Sequence, residues 1–331
     1  MNNKTYCDRK PFWVFIALGL IAICSVSTAI FCGNHQTNAS DLFHALSNKD
    51  HTLAHDILFQ LRIPHATTAF VTGGLLALAG ALMQVLVRNP LADPYILGIS
   101  GGAGIATLLC MLLGLNNVWL IGGSWTGSLL SMLLLFLLTQ RQRFNHSQQL
   151  LLTGIALASG FSALISLILL TSPDNLLRGM LFWLVGDLSA THLPLLASAI
   201  LLLGLLISFS IARDLNLLVR GEKEAKAFGV NTLHLHWKLY LLSSLFTATA
   251  VTLAGCIGFV GLITPHIFRL LFGYDHRYLL PGSVLLGGSL LTLADVLARN
   301  VFFPQTIPVG IIMVLLGIPV FLFLLQKSSA S

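Results

Sequence analysis

Apolar residues along this chain come in long blocks, and charged residues sit almost entirely between them. A block of about 20 residues with few or no charges is long enough to cross the hydrocarbon core of a bilayer as a helix. Ten such blocks are read: 12–32, 66–87, 95–115, 119–139, 149–170, 192–212, 239–256, 258–272, 279–297 and 306–325. The eighth is short and follows the seventh almost directly. The pattern predicts an all-α polytopic membrane protein of about ten transmembrane helices, built as one transmembrane domain over 1–331. Lys4, Arg9 and Lys10 precede the first block, as they would in a secretory signal. At about 20 residues that block is longer than a cleavable apolar region, so it is read as a retained first helix.

Orientation follows from the basic residues. With the N-terminus in the cytoplasm and ten crossings, fourteen of the 18 Lys and Arg fall inside and only Lys49, Arg62, Arg178 and Arg299 outside. This is the skew of the positive-inside rule, and it puts both termini in the cytoplasm. Merging the seventh and eighth blocks would weaken it. Three connections are longer than the rest. Residues 33–61 form a polar outer loop, 171–191 carries Pro173, Asp174 and Asn175 as a helix start outside, and 213–238 forms an inner loop.

Composition supports the same reading. Hydrophobic residues make up 56% of the chain and charged ones 9%, where a soluble protein carries about 25% charged residues. The net charge of +6 is scattered, with no block of like charges to suggest nucleic acid. The five cysteines form no C-x-x-C pair and are read as packing residues. Gly73, Gly74, Gly80, Gly123 and Gly127 are read as points of close helix approach. Leu78-Ala79-Gly80 recurs as Leu253-Ala254-Gly255, a hint of an inverted repeat.

The blocks hold almost no ionisable groups beyond His266, Arg269 and Asp295. An ion-coupled secondary transporter, the alternative reading, needs such groups within the membrane. No H-E-x-x-H and no G-x-x-x-x-G-K-[ST] motif occurs, so the chain is read as neither an enzyme nor a nucleotide binder, with no cofactor and no metal. His51 and His55 are four apart, but two His without further ligands do not complete a metal site. His266 follows Pro265 and is read as bonding the backbone carbonyls that the proline frees.

The inner loop contains RGEKEAKAFGVNT, residues 220–232. Glu222 to Phe228 reads as a short helix with an i,i+4 pair between Glu222 and Lys226, and Gly229 as its left-handed cap. Ala225, Phe228 and Val230 give it an apolar side. The segment is a handle for another protein or a helix lying among lipid headgroups.

Four stretches carry a resemblance: 61–106 with its NPLADP, the RGEKEAKAFGVNT loop, 255–282 with GFVGLITPH, and 294–325 with IPVG. Together they resemble the permease family of ATP-binding cassette (ABC) importers that take up iron-siderophores, haem and cobalamin, over nearly the whole chain. The resemblance implies a type II ABC importer permease in a bacterial inner membrane, paired with a second permease subunit as a homodimer. It implies an ATPase partner inside and a periplasmic or lipid-anchored substrate-binding protein outside. Arg220, Gly221, Glu222, Glu224, Ala225, Phe228 and Gly229 would then couple to the ATPase. Arg62, His65 and Arg299 would receive the binding protein, with His65 where the family often has a second Arg. Asn89, Leu91, Ser147 and Gln148 would form the cytoplasmic gate. Arg299 also has a local partner in reach, Asp295 at i−4.

Overall fold

The computed structural model describes residues 11–32, 53–140, 147–188, 194–301 and 304–329. Among them the chain forms thirteen helices and no strand. They are α1 (Pro11–Phe31), α2 (Leu53–Val87), α3 (Ile99–Leu112), α4 (Asn117–Gln140), α5 (Ser147–Thr171), α6 (Asp174–Val185) and α7 (Pro194–Ser210). There follow α8 (Ala212–Arg220), α9 (Glu222–Ala227), α10 (Thr232–Ala254), α11 (Val260–Phe272), α12 (His276–Asn300) and α13 (Val309–Ser329). Each of the ten apolar blocks is helical. Six helices are long and apolar enough to cross a membrane, or seven if α7 and α8 count as one span bent by 57°. The apolar helices α3, α11 and 309–323 of α13 are shorter.

α2 is the hub. Its apolar stretch is 94% buried, against 6% for α5. It packs on α12, α10 and α11, and glycine makes this possible. A methyl added at Gly73 would strike the Gly287 carbonyl of α12, and one at Gly80 would strike the Gly261 carbonyl of α11. Without side chains at these points the backbones approach closely, which is how membrane helices gain packing where water supplies no drive. Gly127 meets the Gly102 backbone of α3, and Gly123 meets Cys110. The two matched triplets play different parts: Gly80 lies inside a helix, whereas Gly255 ends α10 at φ 67.

Two connections differ from the sequence reading. Residues 53–61 are not loop but the start of α2, with a π-helical stretch at Ile57–Arg62 where the Ile63 N–H reaches back to the Leu58 carbonyl. Pro64 follows immediately; its missing N–H removes an ordinary helical bond, and a local change of register is the usual response. Residues 213–238 are not a loop either. Leu215 and Leu218, three apart, bury one face of α8, and α10 begins at Thr232. The outer helix start at Asp174 is present as α6, and α10 and α11 are separate helices, as the short eighth block required.

Candidate functional site

At one end of the bundle the chain leaves α2 through a fixed turn. Arg88 closes the helix in the left-handed region, φ 54, and its N–H bonds the Gln84 and Val85 carbonyls. The Asn89 side chain accepts from the Leu91 N–H at 2.9 Å, and the Asp93 carboxylate from the Tyr95 N–H at 2.8 Å. With Pro90 and Pro94 each fixing φ, the connector 89–98 has little freedom. Burial raises the Asp93 carboxyl to about 6, against the pull of the Tyr95 and Phe259 N–H groups. Asn89 and Leu91 are half-buried here. Ser147 and Gln148 lie in the first turn of α5, and their side chains are outside the described residues.

Beside this turn lies an arm made of α8 and α9. Gly221 at φ 144 and Gly229 at φ 83 bracket α9, and the Val230 N–H bonds the Ala225 carbonyl beyond its end. Ala225 is buried; Arg220, Lys223, Glu224 and Lys226 are exposed. Phe228 is 66% exposed. The predicted Glu222–Lys226 pair does not form. Glu222 turns toward the bundle instead, 3.1 Å from Arg88 Nη2 and 3.6 Å from His236 Nε2 of α10. α8 is tied separately to the start of α12, where Asn216 Nδ2 donates to Asp275 at 2.8 Å and its oxygen accepts from the His276 N–H at 3.0 Å.

Under the connector sits a buried polar group that the sequence reading assigned differently. Pro265 in α11 has no N–H for the Gly261 carbonyl. His266 was expected to compensate, but both its ring nitrogens are buried without a hydrogen-bond partner. Gln84 of α2 does so: its Nε2 lies 3.4 Å from the Gly261 carbonyl and 3.2 Å from that of Leu262. Its Oε1 accepts from Arg269, which also reaches the Pro90 carbonyl at 3.5 Å. One glutamine in the run Leu-Met-Gln-Val-Leu was the visible signal.

The opposite end of the bundle brings two of the three candidate docking residues, His65 and Arg299, onto Asp295. His65 Nε2 is 2.9 Å and Arg299 Nη2 2.8 Å from the same Asp295 oxygen, so the local Asp295–Arg299 pair is formed. Arg62 is only 5% exposed. It turns inward and donates to the Ile30 and Phe31 carbonyls at the end of α1, where a cation suits the unsatisfied carbonyls. His51 is outside the described residues, and His55 packs on Phe59 with ring centroids 4.5 Å apart. Among the described residues no three His, Cys, Asp or Glu come together as a metal site. An apolar cavity of about 460 Å³ lies between α3, α4, α6, α7 and α10, walled by Ile121, Trp125, Trp183 and Leu196.

The arm grips the bundle on one side and shows a bare aromatic on the other. On a polytopic helical bundle this is the architecture of the membrane permease of an ABC importer. Residues 20–327 match the FecCD transport family, and the chain belongs to it. It is 39% identical, over 99% of its length and 95% of the relative's, to the uncharacterized ABC transporter permease protein YvrB of Bacillus subtilis. It is 38% identical to the hemin transport system permease HmuU of Yersinia pestis, over 82% of this chain and 83% of that one. A solved metal-chelate type ABC transporter in an inward-facing conformation superposes with a TM-score of 0.85 at 32% identity, covering 96% of this chain and 99% of that one.

Proposed function

We propose that this permease imports a metal chelate across the cytoplasmic membrane of a bacterium, driven by ATP hydrolysis on a separate cassette subunit. Iron-siderophore is the first substrate to test, with haem and cobalamin next. The whole chain acts as one transmembrane domain, and both termini lie in the cytoplasm, a reading that the skew of Lys and Arg supports. The arm then faces the cytoplasm and is the coupling element. The exposure of Phe228 on a capped helix pinned by Ala225 and Glu222 carries this reading. Arg220, Gly221, Glu224 and Gly229 complete the surface offered to the ATPase.

A second copy of the chain packs along α5. Its residues Ser159, Gly160 and Ser166 are exposed, and an added methyl at Gly160 would meet nothing. The turn at Asn89 and Leu91, with Ser147 and Gln148 at the start of α5, closes the path on the cytoplasmic side. The binding protein docks at the end holding His65 and Arg299, with Arg62 supporting that end through α1. The ion-coupled alternative loses support because Asp295, its one candidate carboxylate, is held by His65 and Arg299.

The test is charge reversal at Glu222, or Phe228→Asp, in the reconstituted complex. The dimer should remain folded while ATP hydrolysis no longer drives uptake. Full uptake in both variants would count against the coupling role.

A further inference from the structure

We infer that Arg88 is a positioning residue that carries movement of α9 to the connector 89–94 through its ion pair with Glu222. The inference rests on the coupling reading and names the link within it.

The two halves of the arm are held differently. α8 is fixed to α12 by the Asn216 bonds to Asp275 and His276. α9 lies between Gly221 and Gly229, both at positive φ and both in open space. Such glycines let a short helix pivot without a side chain blocking it. Apart from buried Ala225, the hold of α9 on the bundle is Glu222, the first residue of the helix. Among the described residues the ion pairs from the arm to the bundle both use this one carboxylate oxygen, toward Arg88 and His236.

Arg88 is the more consequential partner because of its backbone. It is the last residue fixed to α2 and the first before the connector. A non-glycine residue at φ 54 persists only where its surroundings hold it there. Beyond the turn's own bonds, two side chains from elsewhere hold this stretch: Glu222 on the Arg88 side chain, and Arg269 of α11 on the Pro90 carbonyl. Arg269 belongs to the buried core and does not move with the arm, whereas Glu222 does. Pivoting α9 therefore displaces Arg88 against a fixed point two residues away, and the turn holding Asn89 and Leu91 must adjust.

The experiment uses the full permease with its ATPase in proteoliposomes. Leu91→Cys is labelled by a membrane-impermeant maleimide without nucleotide and after trapping with ATP and vanadate, and the same chain without the added cysteine supplies the background. The parent should change its labelling rate at position 91 on trapping. Arg88→Glu should retain ATPase assembly and ATP hydrolysis but lose that change. Adding Glu222→Arg, which restores the pair with its charges exchanged, should bring it back. An unaltered change in Arg88→Glu, loss of ATPase assembly in that variant, or failure of the exchanged pair to restore the change would each overturn the inference. Failure of the coupling reading shows separately, as Phe228→Asp retaining both assembly and the trapping response.

Discussion

Gln84→Leu removes one residue that serves two helices at once. Leucine fills nearly the same volume, so the change tests hydrogen bonding rather than packing. Gln84 is 3% exposed, and water is not available to replace what it gives. Its Oε1 is the close acceptor for the buried Arg269 guanidinium, whose other acceptor is the Pro90 carbonyl at 3.5 Å. Losing a bond to a charged group costs roughly 1.5–3 kcal/mol. Its Nε2 serves the Leu262 carbonyl and the Gly261 carbonyl orphaned by Pro265, and leaving one such group unsatisfied costs about 1–3 kcal/mol. The expected loss is therefore roughly 2.5–6 kcal/mol. Unfolding by sodium dodecyl sulfate in mixed micelles measures it. Replacing Arg269 with methionine in the same chain should recover part of the loss, since removing both partners costs less than stranding one. A Gln84→Leu protein within about 1 kcal/mol of the parent would refute this account of the α2–α11 contact.

Gly80→Val forces α2 away from the Gly261 backbone and should cost about 1–3 kcal/mol or more, while Gly122→Val, which meets no neighbour, should leave the same unfolding transition unchanged. Asp295→Asn weakens the bonds to His65 and Arg299, at about 2 kcal/mol in stability, and should tighten capture of the binding protein by removing the negative charge beside Arg299, read by surface plasmon resonance. The Asp93 carboxyl is raised from 3.8 to about 6, so the folded state binds the extra proton between those values and stability falls as pH rises through that window. The full fall is roughly 3 kcal/mol; Asp93→Asn, which keeps an acceptor for the Tyr95 N–H, should flatten the profile between pH 4 and 6.

The membrane-spanning blocks were legible because each hydrophobic run reports burial in lipid directly, whatever its neighbours. Gly229 was legible too, since a helix of the type EKEAKAF followed by glycine has one common ending. α8 escaped notice because its nine residues carry four charged or amide side chains, and its Leu215–Leu218 spacing is short for a periodic signal. The partner of Glu222 could not be read locally. Lys226 stands one turn away in sequence, yet the carboxylate pairs with Arg88, 134 positions earlier, because α9 lies against the end of α2. The same holds for Pro265: sequence shows that a carbonyl is freed, and proximity in sequence suggests His266, but the donor comes from α2 across a glycine contact. The isolated outer charges were visible, whereas the turn of Arg62 toward α1 depends on the register of a helix whose first nine residues read as loop.

The central claim is that this chain moves a metal chelate only when an ATPase works its cytoplasmic arm. The measurement is uptake of radiolabelled iron-siderophore, haem and cobalamin into proteoliposomes holding the purified permease, with and without a cassette ATPase and a binding protein from the same organism. The account predicts accumulation of one of these chelates that requires ATP and the ATPase. Accumulation driven by an ion gradient with the permease alone would contradict it.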